Sequence, residues 1–349
     1  MSNTLDIEKH VKYFKRCLNA LPSPYAKGLA NHLSLTYFVI SGLDLLGKID
    51  EIPIAKKDII DWVYSRQIIP SESNPDDFIK NCGFRGANFL GQPYCGGVGC
   101  RCLFDFDMPS IANTYCALAI LRIVGDDFGR VNRDAITRSL KLCQQPDGSY
   151  VGTPFAGESD MRHLYAACVC SFMMDDWRGI DRDAATKYIL ASQNYEYGFA
   201  QVPGQEAHGG STYCAVASLS LMGRLDLLTG ERRDKLVHWL ANKQITGYSG
   251  RINKDPDTCY SFWVGATLAI LNETKVVDQM LLRGFIYSAQ DPNIGGIAKI
   301  PQNMPDLLHS YMSLSGLTLL NEPNLRPLNP SLGISQRAAG ENWNKILIN

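Results

Sequence analysis

The sequence lacks several features that would assign the protein to a functional class at once. Its 34 Lys and Arg residues nearly balance its 35 Asp and Glu residues, so the chain has no general attraction for nucleic acid. No stretch approaches the roughly 18 uncharged apolar residues of a membrane span, and the first residues lack the apolar core of a secretory signal. We therefore expect a cytoplasmic protein with no nucleic-acid partner and no transmembrane segment.

The eleven cysteines do not have the pattern of a disulfide framework or of a structural zinc site. Their number is odd, and most lie in apolar runs, where reduced cysteine behaves as a small hydrophobic residue. The loop that contains Cys95, Cys100 and Cys102 has no paired C-x2-C spacing. We interpret these three as loop residues.

A unit centred on a glutamine recurs along the chain. Each copy reads as a helix, a glutamine, a glycine-rich or glycine-aromatic turn, a loop and a second helix. Four copies centre on Gln145, Gln193, Gln244 and Gln290, which are 48, 51 and 46 residues apart, and an earlier copy contains Gln67. Periods of about this length are typical of two-helix repeats.

The sequence also lacks the sustained alternation of apolar and polar residues that strands require, which favours an all-α fold. Small residues dominate one helix of each pair. A stack of five or six such hairpins predicts an α/α toroid. We expect a single domain over residues 1–349, with a polar C-terminal tail over about 323–349.

The repeats place distant residues at equivalent junctions between a loop and a helix. Arg162, His208, Cys259 and His309 follow the glutamines of their own repeats by 17, 15, 15 and 19 residues. With Asp257, the last two offer oxygen, sulfur and nitrogen ligands and leave a fourth position open, as catalytic zinc requires. Singly, Asp257 is explained as a helix cap and His309 as a structural histidine. Together they favour zinc.

Cationic side chains accompany this triad. They are His208, Arg251, Lys254 and Lys299. The chain has no DDxxD motif, because "GDDFGR" at 125–130 lacks the third aspartate. A diphosphate would therefore be held by these side chains directly rather than through magnesium.

Aromatic residues in the same repeats belong either to an ordinary core or to the wall of an apolar funnel. They are Tyr165, Phe199, Tyr213, Tyr260 and Trp263. A funnel with a cationic rim and a thiophilic metal suits a long apolar diphosphate ester and a thiol acceptor.

The chain resembles the β subunits of protein prenyltransferases over nearly its whole length. The resemblance is carried by "LSLTYFVISGLDLLGKID", "CGFRG", "DMRHLYAACVC", "HGGSTYCAVASLSLMG", "DPDTCYSFWVGATLAIL" and "GGIAKIPQNMPDLLHSYMSLSGL". It is strongest to the type I geranylgeranyltransferases. Ser34 stands where farnesyltransferases carry tryptophan, Lys299 stands where the other members carry aspartate, and Leu308 replaces tyrosine.

The resemblance implies a role for each candidate residue. The zinc ligands are Asp257, Cys259 and His309; the diphosphate contacts are His208, Arg251, Lys254, Tyr260 and Lys299; the isoprenoid contacts are Ser34, Arg162, Tyr165, Cys214 and Trp263. His208, Tyr260 and Lys299 are implied to act in catalysis, and Asp306 to lie near the metal. Ser110 stands where the family usually has histidine, in the region that reads the last residue of the acceptor.

The implied activity is transfer of a geranylgeranyl group from its diphosphate to the cysteine of a C-terminal C-a-a-X sequence, often with X as Leu, in proteins such as small GTPases. The implied cofactor is one zinc ion, with no requirement for magnesium. The implied partner is an α subunit shared with farnesyltransferase, which supplies a further catalytic lysine. This chain alone should therefore be inactive.

Three alternatives remain on the residues alone. The first is a farnesyltransferase β subunit. The second is a toroidal binding module without enzymatic activity, which would have no reason to keep a zinc triad and a cationic rim together. The third is a cyclase-like barrel, which needs an acidic proton-donor motif that "MDDWRG" at 174–179 does not match.

Overall fold

The computed structural model describes residues 4–69, 82–87, 108–154 and 156–340. The cysteine-rich loop at 95–102 lies outside these ranges. One compact unit takes the described residues of 1–21, 38–51 and 191–349, and a second takes those of 22–37 and 52–190. That the chain forms one domain therefore stays a prediction. No helix in the described ranges is both long enough and apolar enough to cross a bilayer.

The described residues form thirteen α-helices. They are α1 (Ile7–Asn19), α2 (His32–Leu45), α3 (Lys56–Tyr64), α4 (Ile111–Val124), α5 (Arg133–Cys143), α6 (Met161–Met174), α7 (Arg182–Ala191), α8 (Gly209–Leu221), α9 (Gly230–Ala241), α10 (Tyr260–Ile270), α11 (Gln279–Ser288), α12 (Leu307–Leu319) and α13 (Gln336–Ala339). The first twelve are six successive pairs, in agreement with the predicted five or six hairpins.

Short strands accompany the helices. They are β1 (Gln67–Ile68), β2 (Gly83–Phe84), β3 (Val151–Thr153), β4 (Ala156–Ser159), β5 (Ile297–Ala298), β6 (Pro305–Asp306), β7 (Leu328–Asn329) and β8 (Ile334–Ser335). Each pairs antiparallel with its neighbour in sequence, as β1–β2, β3–β4, β5–β6 and β7–β8. Strands of two to four residues carry too little alternation to be read from the sequence.

The two helices of a pair differ in burial. In the α9–α10 pair, α9 buries only Leu236, Trp239 and Leu240, because charged residues cover its other faces. Its partner α10 buries seven of its eleven residues, as expected for a sequence made of small and apolar residues. The buried helices α8, α10 and α12 pack side by side, as do α4 and α6.

In four of the repeats a glutamine side chain ties the turn to the start of the next half-exposed helix. In the clearest case, Gln244 Oε1 accepts from Asp278 N at 2.8 Å and its Nε2 donates to Asp278 O at 2.7 Å. Asp278 is the N-cap of α11. The same pair of bonds joins Gln67 to Asn132 and Arg130, Gln144 to Asp181, and Gln290 to Asp6 and Thr4. The repeated glutamine therefore satisfies backbone groups that a helix start leaves unpaired.

One glutamine was misassigned from the sequence. The bridge that opens the turn is Gln144–Tyr150, not a bridge at Gln145. The side chain of Gln145 instead donates to Cys143 O. Gln144 and Gln145 are adjacent and cannot be told apart from the sequence. They differ in the structure because only Gln144 binds the backbone of Asp181. Gln193 departs from the others because its Nε2 donates within its own turn, to Tyr197 O.

The C-terminal residues correct a second prediction. A polar tail was expected from about residue 323, but β7, β8 and α13 are formed there and Leu332 and Ile334 are fully buried. The fully buried carboxylate of Asp44 on α2 anchors the segment. It accepts from Arg326 at 2.6 Å, Arg337 at 2.8 Å and Ser335 at 2.5 Å. Residues 341–349 lie outside the described ranges.

This anchor generates the first prediction. Asp44→Asn keeps the shape of the side chain but removes the charge that pairs with both arginines, so we expect a loss of about 3 kcal/mol in the free energy of unfolding. The measurement is urea denaturation followed by circular dichroism.

Asp134→Asn is the matched control, because Asp134 also pairs with an arginine, Arg178, at 2.6 Å, but in solvent. We expect no change in its urea midpoint. Equal midpoints for Asp44→Asn and the wild type would contradict the assigned role of the anchor.

Candidate metal centre

Asp257, Cys259 and His309 lie together, with one ligand atom of each within 4.8 Å of those of the other two. Asp257 Oδ1 is 3.3 Å from His309 Nε2. Cys259 is the residue that precedes α10, and His309 lies in the first turn of α12, which packs against α10. The structure therefore brings together the three residues that were predicted to be zinc ligands. Their binding of zinc stays a prediction.

Local backbone bonds hold this junction in place. Thr258 Oγ1 donates to Ala298 O at 2.7 Å, and Thr258 N donates to Lys299 O at 3.0 Å. The residue before Cys259 is thus fastened to the end of β5. Asp257 is not the N-cap of α10, but its Oδ1 accepts from Cys259 N at 2.9 Å. The helix-cap explanation of Asp257 therefore accounts for one hydrogen bond and leaves its second oxygen for other partners.

Asp306 orients the histidine. It is the N-cap of α12, where its Oδ1 accepts from His309 N at 2.9 Å. Its other oxygen accepts from His309 Nδ1 at 2.6 Å. With Nδ1–H engaged in this way, Nε2 faces Asp257, which is the arrangement that protein sites use to fix the tautomer of a metal-binding histidine.

The electrostatics of the cluster favour a positive charge at its centre. Burial disfavours the imidazolium, yet the carboxylates of Asp257 and Asp306 raise the pKa of His309 to about 9. Burial and the neighbouring Asp257 raise the pKa of the Cys259 thiol well above its usual range. A divalent cation would satisfy this donor set, and oxygen, sulfur and nitrogen ligands in a partly buried pocket fit zinc.

Lys299 lies at the edge of this cluster. Its Nζ is 3.7 Å from Asp257 Oδ2, and its side chain is 58% exposed. The residue follows β5 directly, so its backbone is fixed by the bond from Thr258 while its ammonium reaches solvent. The charge is therefore available to an anion that binds beside the cluster.

His208 and Tyr260 form a second pair at two neighbouring helix starts. His208 is the N-cap of α8 and its Nδ1 accepts from Gly210 N at 3.0 Å. In the neutral ring the proton is therefore on Nε2, which donates to Tyr260 Oη at 2.9 Å. Burial raises the pKa of Tyr260, so the phenol keeps its proton and can donate it to a ligand.

Two supporting residues near this pair were not predicted. A Cβ at Gly250 would collide with the ring of Tyr260, so glycine is required for the ring to lie there. Glu206 Oε2 lies 3.2 Å from Arg251 Nη1, with both side chains nearly half exposed. Neither residue belongs to a sequence motif. The role of Gly250 depends on its contact with Tyr260, and that of Glu206 on its ion pair with Arg251, so neither could be predicted from the sequence.

The predicted isoprenoid contacts are divided between the two compact units. Cys214 and Trp263 lie in the unit that contains the metal cluster, where Trp263 packs on Tyr213 with ring centroids 5.2 Å apart. Phe199 in that unit is fully buried, so it belongs to the core rather than to a funnel wall. Tyr213 donates its hydroxyl to Pro330 O at 2.9 Å, within the C-terminal segment.

The other three predicted isoprenoid contacts lie in the second unit. Ser34 Oγ donates to Asn113 Oδ1 at 3.3 Å, and Arg162 pairs with the buried Asp160 at 2.7 Å. Tyr165 meets Tyr115 edge to face at 6.0 Å. The charge of the Arg162 guanidinium is therefore already balanced by the carboxylate of Asp160.

Ser110 also lies in the second unit. It is the N-cap of α4, where its hydroxyl accepts from Asn113 N at 3.1 Å. The serine therefore has a structural role of its own, as the cap of this helix.

The acidic pairs that lacked a recognised motif have structural partners. Asp126 accepts from the hydroxyl of Tyr64 at 2.7 Å, and Asp176 pairs with Arg178 at 2.6 Å. Asp175 ends α6 in a left-handed conformation. Asp126, Asp175 and Asp176 therefore each have a local structural role.

Comparisons with known proteins agree over the whole chain. The Dictyostelium discoideum protein "Geranylgeranyl transferase type-1 subunit beta" is 52% identical, with all of both chains covered. The Arabidopsis thaliana protein of the same name is 36% identical over 97% of this chain and 91% of its own. The Schizosaccharomyces pombe protein "Protein farnesyltransferase subunit beta" is 30% identical over 91% of this chain and 78% of its own.

A solved structure gives the same result. The structure "Candida albicans protein geranylgeranyltransferase-I complexed with GGPP" matches with a TM-score of 0.82 and 27% identity, covering 99% of this chain and 100% of the other. The model of the prenyltransferase alpha-alpha toroid domain matches residues 5–334. The predicted all-α toroid and the resemblance to protein prenyltransferases are therefore confirmed. The chain belongs to the prenyltransferase alpha-alpha toroid family.

Proposed function

We propose that this chain is the catalytic β subunit of a protein geranylgeranyltransferase type I. The full-length similarity to subunits of that name supports the proposal. The observation that carries it is the cluster of Asp257, Cys259 and His309 on the helix starts next to His208 and Tyr260. A metal-binding group and an anion-binding group then lie side by side, as transfer from a diphosphate to a thiol requires.

Zinc is the metal that Asp257, Cys259 and His309 would hold, and it would supply the positive charge that turns a cysteine thiol of pKa about 8.5 into a thiolate at neutral pH. Asp306 keeps His309 Nε2 directed at this site. No general base is then needed from the chain.

The anion-binding residues act on the leaving group. As the new bond forms between the acceptor sulfur and C1 of the lipid, the C1–O bond breaks and charge develops on the departing diphosphate. Tyr260 donates its hydroxyl proton to a diphosphate oxygen, because His208 already donates to the phenol oxygen. Arg251, Lys254 and Lys299 add positive charge, which stabilises the developing anion without a second metal.

The acceptor in this proposal is a protein that ends in C-a-a-X, such as a small GTPase, and the product gains a lipid that anchors it to membranes. Reaction takes place in the cytoplasm. The partner is an α subunit shared with farnesyltransferase, which supplies a further lysine, so the chain alone is inactive. Co-expression with candidate α subunits, followed by transfer assays with farnesyl and geranylgeranyl diphosphate, tests the proposal; a complex that transfers neither lipid would refute it.

The second prediction concerns the metal ligands. Cys259→Ala and His309→Ala should each lower zinc content and transfer sharply and leave lipid diphosphate binding nearly unchanged, because the anion-binding residues are separate groups. Zinc is measured by plasma mass spectrometry and lipid affinity by calorimetry on the heterodimer.

Cys143→Ala is the matched control for these variants. This cysteine is also buried but lies at the end of α5, outside the cluster, so zinc content should not change. Parallel losses of zinc and lipid affinity in both site variants would indicate unfolding and would count against the assignment. Full zinc content in both would favour a different metal site.

The third prediction concerns the length of the lipid. Ser34→Trp fills space that the last isoprene unit occupies and should shift the preference from geranylgeranyl towards farnesyl diphosphate. Overpacking typically costs ~1–3 kcal/mol, or roughly ten- to a hundredfold in relative kcat/KM. Ser34→Ala keeps the space and should keep the preference. An unchanged ratio for Ser34→Trp would show that Ser34 does not lie at the lipid terminus.

The fourth prediction concerns Lys299 and magnesium. Wild-type transfer should need zinc but no added magnesium, since an ammonium supplies the charge directly. Lys299→Asp should slow the magnesium-free reaction roughly tenfold to a thousandfold and make the rate rise with millimolar magnesium. Single-turnover rates across a magnesium titration, with zinc constant, measure both effects.

Lys275→Asp makes the same change of charge at an exposed position after α10 and should change neither rate. Strong magnesium dependence of the wild type, or a Lys299→Asp variant without a magnesium response, would contradict the proposed role.

A further inference from the structure

A groove of about 540 Å³ opens beside the helix α9, in the unit that contains the metal cluster. We call it the Lys243 groove. Its lining includes Trp239, Lys243, Arg251 and Lys254, and the exposed Ile245. None of the functions proposed above uses the Trp239 and Lys243 side of this groove.

Lys243 has an unusual environment for a lysine. Only 4% of the residue is exposed, and Nζ lies 4.4 Å from the centroid of the Trp239 ring. Its ammonium makes no hydrogen bond or ion pair with any residue in the described ranges. Burial lowers the pKa of Lys243. The carboxylates of Glu196 and Glu206 favour its charge, but neither accepts a hydrogen bond from Nζ, so the ammonium keeps its donors for a ligand in the groove.

Stacking on tryptophan does not by itself distinguish Lys243 from other cations of this chain. Arg66 lies in the same way over Trp62, at 4.5 Å, four residues along an equivalent helix. A cation after the tryptophan is therefore a feature of the repeat. What distinguishes Lys243 is that it faces a groove with other cations.

The groove carries an excess of positive charge. Four cations line it, with Glu196 as the one acidic side chain of the lining. Lys235 is neutralised by Glu231 at 2.6 Å, but the partner of Arg251, Glu206, is held in a half-exposed pair, which solvent and competing anions can replace. Lys243, Arg251 and Lys254 thus remain to bind an anion.

Arg251 and Lys254 also belong to the proposed diphosphate-binding residues, so the groove adjoins the place where that product would be released. We propose that the Lys243 groove is a second oxyanion site, which takes up inorganic diphosphate after it leaves the lipid. This inference rests on the proposed function. Its ligand chemistry, a multiply charged phosphate, is the class that several Lys and Arg donors bind best.

The test is calorimetric titration of the heterodimer, free of lipid and acceptor, with inorganic diphosphate. We expect diphosphate to bind to the wild-type heterodimer. Lys243→Met should weaken this binding at least about tenfold, because it removes the buried charge and keeps the length of the side chain. Lys243→Arg should retain it.

Lys235→Met is the matched control. It removes a cation from the same groove, but one already paired with Glu231 and hydrogen-bonded to Tyr197 at 3.1 Å, so we expect less than about a threefold change. Inorganic phosphate, titrated in the same way, should bind more weakly than diphosphate because it carries fewer charged oxygens.

Three results would overturn the inference. They are no uptake of diphosphate by the wild type, equal affinity of Lys243→Met and wild type, and equal affinity for phosphate and diphosphate. The titration needs no turnover, so its failure is distinguishable from failure of the proposed function, which is an absence of transfer. In a transferring complex, Lys243→Met should keep the single-turnover rate and slow the release of diphosphate.

Discussion

The alignment of helix starts is the constraint on which the candidate site depends. In one compact unit, the N-caps of α8, α10 and α12 are His208, Cys259 and Asp306, and α10 packs against both α8 and α12. Glutamine side chains fix the repeats by binding the backbone at the start of the next half-exposed helix. Residues far apart in sequence therefore lie close together when they occupy equivalent positions at the starts of neighbouring helices.

The candidate metal ligands and the candidate anion-binding residues favour ligands of opposite charge. Carboxylates raise the pKa of His309 while burial raises that of Cys259, so the cluster favours a cation at its centre. Lys299 lies at the exposed edge of the cluster, 3.7 Å from Asp257, and Tyr260, at the start of the same helix as Cys259, is hydrogen-bonded to His208, so both offer donors to an anion. In the proposed transfer, zinc would hold the acceptor sulfur and these donors would stabilise the charge that develops on the departing diphosphate.

The sequence predicted the elements that follow from periodicity. The spacing of the glutamines predicted the helical pairs and also the meeting of Cys259 with His309. Features that depend on contacts between distant residues were missed. The C-terminal segment reads as polar because Arg326 and Arg337 are charged, but their partner is Asp44, nearly 300 residues earlier. Gly250 was overlooked for the same reason, since its role appears only when the Tyr260 ring lies against it.

Zinc-edge X-ray absorption of the purified heterodimer tests the central claim most directly. With Asp257, Cys259 and His309 as ligands, the spectrum should contain one sulfur at about 2.3 Å and nitrogen or oxygen neighbours at about 2.0–2.2 Å. Cys259→Ala should bind much less zinc, and the zinc that it retains should show no sulfur neighbour. A spectrum with two or more sulfur neighbours, or a sulfur signal that persists in Cys259→Ala, would assign the zinc to other cysteines and contradict the account.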